Sequence, residues 1–290
     1  MMMRYFGMLA AAIICATVMP TSGVAAWPEQ CSQLEASGQT RARELMSELY
    51  PHDCCDDTLW NCLQQTTPSR LVWRLASGVC FRLAKGESDK DIKRELEKRT
   101  AAMMSSGAQA TIGVADLAWA GDPAAPVTVV VYTCARCPYC SKSVPEMYEA
   151  VVNGSLKGKA KLGIRLFPVK SHPGSKEGAM AFEVARASKT FWPYVLLAYK
   201  RFDSFSESSL LDWAVEIGLK RETFASEMSA KSTRDRVVAS KKEGLRNQVE
   251  ATPTYFINGR LYGADLKTWA LSCAILEEYD RVTGNLCQPE

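Results

Sequence analysis

The sequence is poor in the residue that most often moves protons. Only two histidines, His52 and His172, occur in 290 residues. No motif makes either a general base, and both read as surface residues. Charge of one sign is lacking too. With 35 lysines and arginines against 32 acids the net charge is +3. No basic stripe interleaved with aromatics is present, so no nucleic-acid partner is expected. Beyond the first 26 residues no apolar run approaches the ~20 residues of a spanning helix. Cysteine, by contrast, is abundant. Eleven occur in a chain whose apolar fraction is 47%, long enough to fold on its core without disulfides or a metal. They need a reason of their own.

The N-terminus suggests a compartment for them. Arg4, an apolar run over residues 5–19, Pro20 and the small residues Val24-Ala25-Ala26 follow one another as in a signal peptide covering residues 1–26. The run is shorter than a membrane anchor needs. Ile13-Ile14 before Cys15 also lacks the small residues of a lipid-anchored start. Cys15 would leave with the signal. The other ten cysteines would enter a periplasmic or otherwise extracytoplasmic space that permits disulfides.

Residues 27–105 read as an all-helical, cysteine-bearing N-terminal domain with Cys31, Cys54, Cys55, Cys62 and Cys80. Thr67-Pro68 suits a helix start. Leu71, Val72, Leu75, Val79 and Leu83 follow at helical spacing, and Gly86 ends the run. Ser88 with Asp91 predicts the cap of a second helix reaching Arg99. Residues 105–108, Ser-Ser-Gly-Ala, read as a linker.

Residues 106–290 alternate strand and helix. The β-branched stretch 126–132 predicts a strand buried on both faces, followed by a helix over 138–152 and a strand over 161–169. Only helical periods occur over about 175–249. Strand pattern returns at Thr254-Tyr255-Phe256-Ile257, and Asn258-Gly259 turns it into Arg260-Leu261-Tyr262. A last helix covers 266–282. The expected fold is therefore α/β with an inserted helical subdomain, behind the helical N-terminal domain.

The chemistry concentrates at Cys137-Pro138-Tyr139-Cys140, between a buried strand and a helix. At a helix start, unpaired N–H groups and the helix dipole favour an anion. A thiol there can fall from ~8.5 to between ~3.5 and ~7.5. That stabilises the reduced pair and makes the disulfide a better oxidant. Pro138 suits the first turn, and Pro138 and Tyr139 are the residues placed to tune the pair. Far downstream, Thr252-Pro253 opens a strand. Proline at such a place is apt where its geometry is wanted; a cis bond there would set the Thr252 backbone beside the cysteines as an edge for an extended peptide.

From about residue 126 to residue 284 these features resemble the DsbA-like branch of the thioredoxin superfamily. The residues that carry the resemblance are Cys137-Pro138-Tyr139-Cys140 after Val129-Val130-Val131, Phe191-Trp192-Pro193-Tyr194 in the helical insert, and the run from Thr252 to Gly259. The resemblance implies a thioredoxin-like fold and a protein thiol–disulfide oxidoreductase needing no cofactor. Cys137 would form the mixed disulfide, Cys140 would resolve it, and Pro253 would be the cis-proline. It further implies protein thiol and disulfide substrates and a membrane redox partner. Two residues depart from the strongly oxidising archetype, which has His where Tyr139 stands and Val where Thr252 stands. Thr at that place also occurs in isomerase and reductase relatives, so oxidase is kept slightly ahead of isomerase or reductase.

A glutaredoxin would reach its cis-proline sooner. A purely structural Cys137–Cys140 bridge leaves Thr252-Pro253 unexplained, and a non-catalytic module would not need both cysteines. Cys134-x-x-Cys137-x-x-Cys140 could ligate a metal, but no fourth ligand stands at a characteristic spacing, and no metal is expected. Outside the pair, five cysteines fall in the N-terminal region and three, Cys134, Cys273 and Cys287, in the rest. Both counts are odd, so full pairing needs a bridge between the regions, while local pairing leaves a free thiol in each. Cys273–Cys287 would staple the last helix to the tail, leaving Cys134 spare as a possible third redox thiol. The stretch 86–99 is similar to the small three-helix domain of the CcmH family. Its Cys-x-x-Cys is not reproduced here, so structural disulfides are expected.

Overall fold

The computed structural model describes residues 27–104 and 109–289; the expected signal peptide at 1–26 and linker at 105–108 lie outside the described residues. Five helices come first: α1 (Glu29–Ser32), α2 (Ala36–Met46), α3 (Leu59–Leu63), α4 (Arg70–Ala84) and α5 (Asp89–Met104). Then come β1 (Ala120–Gly121), β2 (Val127–Thr133), α6 (Cys140–Val152) and β3 (Ala160–Leu166). The insert holds α7 (Ser175–Ala187), α8 (Phe191–Lys200), α9 (Glu207–Glu216), α10 (Arg221–Ser229) and α11 (Lys231–Arg246). β4 (Thr254–Ile257), β5 (Arg260–Tyr262) and α12 (Thr268–Val282) close the chain. Two compact units result. One gathers the N-terminal helices, Asn153–Leu156 and everything from Gly263 onward; the other runs over Gly107–Val152 and Lys157–Tyr262.

In the first unit the apolar stripe of α4 buries Leu71, Leu75 and Val79 against Leu45, Met46, Leu59 and Ile92. Ser69, two residues later than the expected cap, accepts from the Val72 N–H at 3.3 Å. Gly86 at φ +76° lets the chain leave the helix. Ser88 accepts from the Asp91 N–H at 3.2 Å, as its spacing predicts. Disulfides Cys31–Cys80, Cys55–Cys62 and Cys54–Cys287 tie the unit together. The last bridges the two regions, one of the two alternatives the odd counts leave open, and it corrects the Cys273–Cys287 staple, because Cys287 lies beside Cys54 instead.

The last helix, read from sequence as part of the second half, is held in this first unit by buried charge. Glu277 is wholly buried and accepts from Arg99 Nη2 at 2.8 Å, with His52 Nε2 2.7 Å from its other oxygen. His52 is therefore not a surface residue: its side chain is 2% exposed. Buried Asp280 likewise pairs with Arg74 and Arg70.

In the second unit the sheet order is β1-β3-β2-β4-β5. β2 runs parallel to β3 from Val127↔Ala160 to Thr133↔Leu166 and antiparallel to β4. Five consecutive buried residues, Val129–Thr133, fit a central strand covered on both faces. The hairpin forms where Asn258-Gly259 predicts it, with φ +46° and +79°. Asn258 also bonds back to the Thr128 backbone through its own N–H and its Oδ1, both at 2.8 Å. That pins the β4–β5 edge to β2. Residues 175–249 are helical, as their periods indicate. Two-residue β1 carried no readable pattern.

Candidate functional site

β2 ends at Thr133, and the chain turns through Cys134-Ala135-Arg136-Cys137 before α6 begins at Cys140. The Cys137 N–H donates to the Cys134 carbonyl at 3.1 Å. The turn is clamped from two sides. The Arg136 guanidinium lies 4.5 Å from the ring centroids of both Phe202 and Phe205 and donates to the Phe202 carbonyl at 2.7 Å. Ala135 sits over Gly178, where an added Cβ would stand 2.5 Å from its own. Glycine is needed there for close approach.

The pairing Tyr132↔Thr254 carries the segment before β4 to the same turn. The Thr252–Pro253 bond is cis, and the Cys137 thiol donates to the Thr252 carbonyl at 3.1 Å. The structure thus brings together Cys137, Cys140, Thr252 and Pro253, 112 or more positions apart in the case of the two pairs. Pro138 and Tyr139 face outward, Tyr139 being 75% exposed. Cys137, Cys140 and Cys134 are free thiols.

The two cysteines of the pair have opposite electrostatics. The Cys137 thiol is lowered to about 5. A hydrogen bond from Cys140 is the largest cause; burial opposes it, and the otherwise unpartnered Thr252 hydroxyl and the N–H groups of Cys140 and Tyr139 assist. The helix begins three residues later than its first cysteine, so these N–H groups converge on that sulfur. Cys140 is completely buried; burial, reinforced by the Cys137 sulfur, pushes its thiol far up.

Alkylation should report this directly. The rate of Cys137 modification by iodoacetamide, followed against pH, is expected to have its midpoint near 5, against ~8.5 for an ordinary cysteine. A midpoint above 8 would remove the electrostatic basis of the site. The sign of the linked stability follows. A depressed thiol stabilises the reduced protein fully above the ordinary thiol value, and the effect is lost as pH falls through about 5.

Cys134 is 1% exposed and its thiol is pushed up by burial. It lies 3.4 Å from Nδ1 of His172, which is half-buried. Among the described residues, Cys134, Cys137 and Cys140 do not gather into a three-ligand cluster; the only such group is Asp53, Cys54 and Cys287, whose cysteines are bonded to each other. Two hydroxyl pairs were not foreseen: Thr133 with Tyr199 at 2.7 Å and Ser143 with Tyr255 at 2.6 Å. Thr133 closing an apolar strand was the one available sign of the first. Nothing in the linear pattern pointed to Tyr199.

A dithiol presented this way, one thiol lowered and the other raised, has the electrostatics that thiol–disulfide exchange asks for, and it stands on a thioredoxin-like fold. The family model described as Thioredoxin matches residues 115–277, more than half of the chain, and the chain belongs to that family. The fold is similar to that of oxidised BdbD from Bacillus subtilis, at 19% identity and TM-score 0.53, covering 61% of this chain and 100% of that one. It is similar also to alpha-DsbA1 from Wolbachia pipientis, at 20% identity and TM-score 0.52, covering 60% and 96%. Among curated sequences, Na(+)/H(+) antiporter NhaA 3 of Salinispora tropica is 28% identical over 160 residues, 55% of this chain. The chain spans only 24% of that antiporter's length. No helix among the described residues is long and apolar enough to cross a membrane.

Proposed function

We propose that the chain exchanges disulfides with protein substrates in an extracytoplasmic compartment through Cys137 and Cys140, chiefly as an oxidase. The observation that carries this reading is the Cys137 sulfur, held as a ready anion beside the Thr252 carbonyl. In oxidation, a substrate thiolate attacks the Cys137–Cys140 disulfide at Cys137. A second substrate thiolate then attacks the mixed disulfide and releases the reduced pair. A thiol depressed to about 5 stabilises the reduced pair by about 3 kcal/mol at pH 7, and so favours taking electrons from substrates. Three disulfides among the described residues support an oxidising compartment, consistent with the signal-peptide pattern at residues 1–26. A membrane redox partner would return the pair to its disulfide. Exposed Pro138 and Tyr139 and the segment at Thr252-Pro253 form the face for an extended substrate segment.

The opposite direction, reduction or isomerisation, is favoured by Thr252 before Pro253. The reduction potential against glutathione separates the two. A value near the ~−120 mV of strong oxidants supports oxidase, and one near ~−270 mV supports reductase. Cys140→Ser is expected to accumulate mixed disulfides on Cys137, seen as gel-shifted adducts that dithiothreitol removes; a variant that forms none would overturn the exchange reading. Peptide mapping of the same material, and of the oxidised wild type, tests Cys134. A Cys134–Cys137 bond would make Cys134 a third redox thiol, for which its position in the turn is the argument. Its absence under all redox conditions leaves Cys134 a buried packing residue beside His172.

A further inference from the structure

The second unit also holds a pocket that the cysteine pair does not use. It has a volume of about 350 Å³ and lies between the segment before β1 and the turn that joins α7 to α8. That is at the small end of the ~300–1,000 Å³ of small-molecule sites. Leu117, Trp119, Trp192 and Pro193 make its apolar and aromatic walls, and Arg186 and Lys189 line it beside them. The cysteine turn is elsewhere. Ala135 sits over Gly178 near the start of α7. Arg186 lies eight residues further along that helix, ~12 Å away at ~1.5 Å per residue.

The walls are tied together by the fold itself. Trp192 Nε1 donates to the Ala118 carbonyl at 2.9 Å, and Arg186 Nη1 donates to the Asp116 carbonyl at 2.7 Å. Leu117 and Trp119 close over Gly163, where an added Cβ would stand 2.8 Å from each. The Tyr148 ring backs Trp192, with centroids 4.9 Å apart. The carboxylates around the pocket are already matched by guanidinium groups. Asp116 pairs with Arg165 at 3.0 Å and with Arg186 at 3.7 Å. Glu183 pairs with Arg186 and Arg236, each at 2.5 Å. Lys189 is exposed and its ammonium forms no ion pair among the described residues. It is the cation left over.

Lys189 also stands where a side chain is costly. It follows the C-cap Ser188 of α7 at φ +60°. The Lys189 and Thr190 N–H groups donate to the Arg186 and Ala185 carbonyls at 3.2 and 3.0 Å, the bonds of a Schellman motif. That position ordinarily takes glycine, because an L side chain is crowded in the left-handed region. A lysine there, with its charge unspent and a pocket of indole rings beside it, is a strained residue at a site. We propose that this pocket binds a small aromatic carboxylate, its ring packed against Trp119 and Trp192 and its anion on Lys189. The indoles supply flat apolar area for stacking, and the ammonium selects for negative charge.

The test titrates the oxidised full chain with 1-naphthoate, and with its uncharged counterpart 1-naphthamide, by calorimetry and saturation-transfer NMR. The acid is expected to bind with Kd below ~1 mM and the amide at least ~10-fold more weakly. Lys189→Gly removes the cation but suits the left-handed position. It should weaken 1-naphthoate by about tenfold or more while raising Tm by about 2–4 °C. A lysine that merely served the fold would not give both changes. Pro193→Glu, at an exposed position in the first turn of α8, sets a carboxylate in the pocket and should abolish binding of the acid. Absence of any signal up to ~5 mM acid, or equal binding of acid and amide, overturns the proposal. So does wild-type affinity in either variant, which would put the ligand elsewhere. A lowered Tm in Lys189→Gly overturns it too, because the lysine would then be there for the fold.

Discussion

Cys137→Ser is expected to bring dithiol oxidation and disulfide reduction down to the background of uncatalysed exchange. The substitution changes one atom, and a serine hydroxyl can still donate to the Thr252 carbonyl that now accepts the thiol at 3.1 Å. Fold and melting temperature should therefore survive. Activity should not, because the remaining thiols of the site cannot substitute. Cys140 and Cys134 are 0% and 1% exposed, and burial pushes both upward. A thiol so placed has little thiolate at neutral pH, whereas Cys137, itself only 1% exposed, is lowered by its hydrogen bonds. Insulin reduction and oxidation of a dithiol peptide are the measurements. Turnover at the wild-type level would mean that the chemistry lies at another pair.

The largest stability effect is expected far from that pair, at Glu277. The carboxylate is wholly buried between Arg99 and His52. Burial alone would raise its carboxyl, but the Arg99 guanidinium and His52 outweigh that and hold it at about 2. Glu277→Ala would leave a buried guanidinium without its partner, a loss on the order of 3–5 kcal/mol. Urea denaturation of oxidised protein, followed by tryptophan fluorescence of the first unit, should show the midpoint fall accordingly. A change below about 1 kcal/mol would mean that water reaches Arg99. The pH sign is that of a depressed carboxyl. The stabilisation is complete above the ordinary glutamate value, ~4.3, and is lost as pH falls through about 2. Wild type should thus become more acid-labile only below that ordinary value, and Glu277→Ala should lack this dependence.

Much of the site was legible because it is built from local chemistry. A cysteine pair spaced by two residues, placed between an apolar strand and a helix, defines its own electrostatics. The Asn258-Gly259 turn defines its hairpin. The pieces that were misread are those set by partners distant in the chain. His52 looked like a surface residue until Glu277, 225 positions away, was placed beside it. Cys287 seemed free to pair with Cys273 until the tail was brought to Cys54. Sequence spacing measures reach along the chain, not neighbours across it.

By itself, then, the sequence pointed to the Cys137–Cys140 pair, the strand and helix that frame it, and the helical character of the insert, since each follows from periods and propensities within a few residues. The tertiary structure decided what surrounds the sulfurs: the Thr252 carbonyl at Cys137, and the hydrogen bonds that lower the Cys137 thiol where burial raises that of Cys140. Those are consequences of packing, and packing brings together residues whose positions in the chain carry no sign of one another.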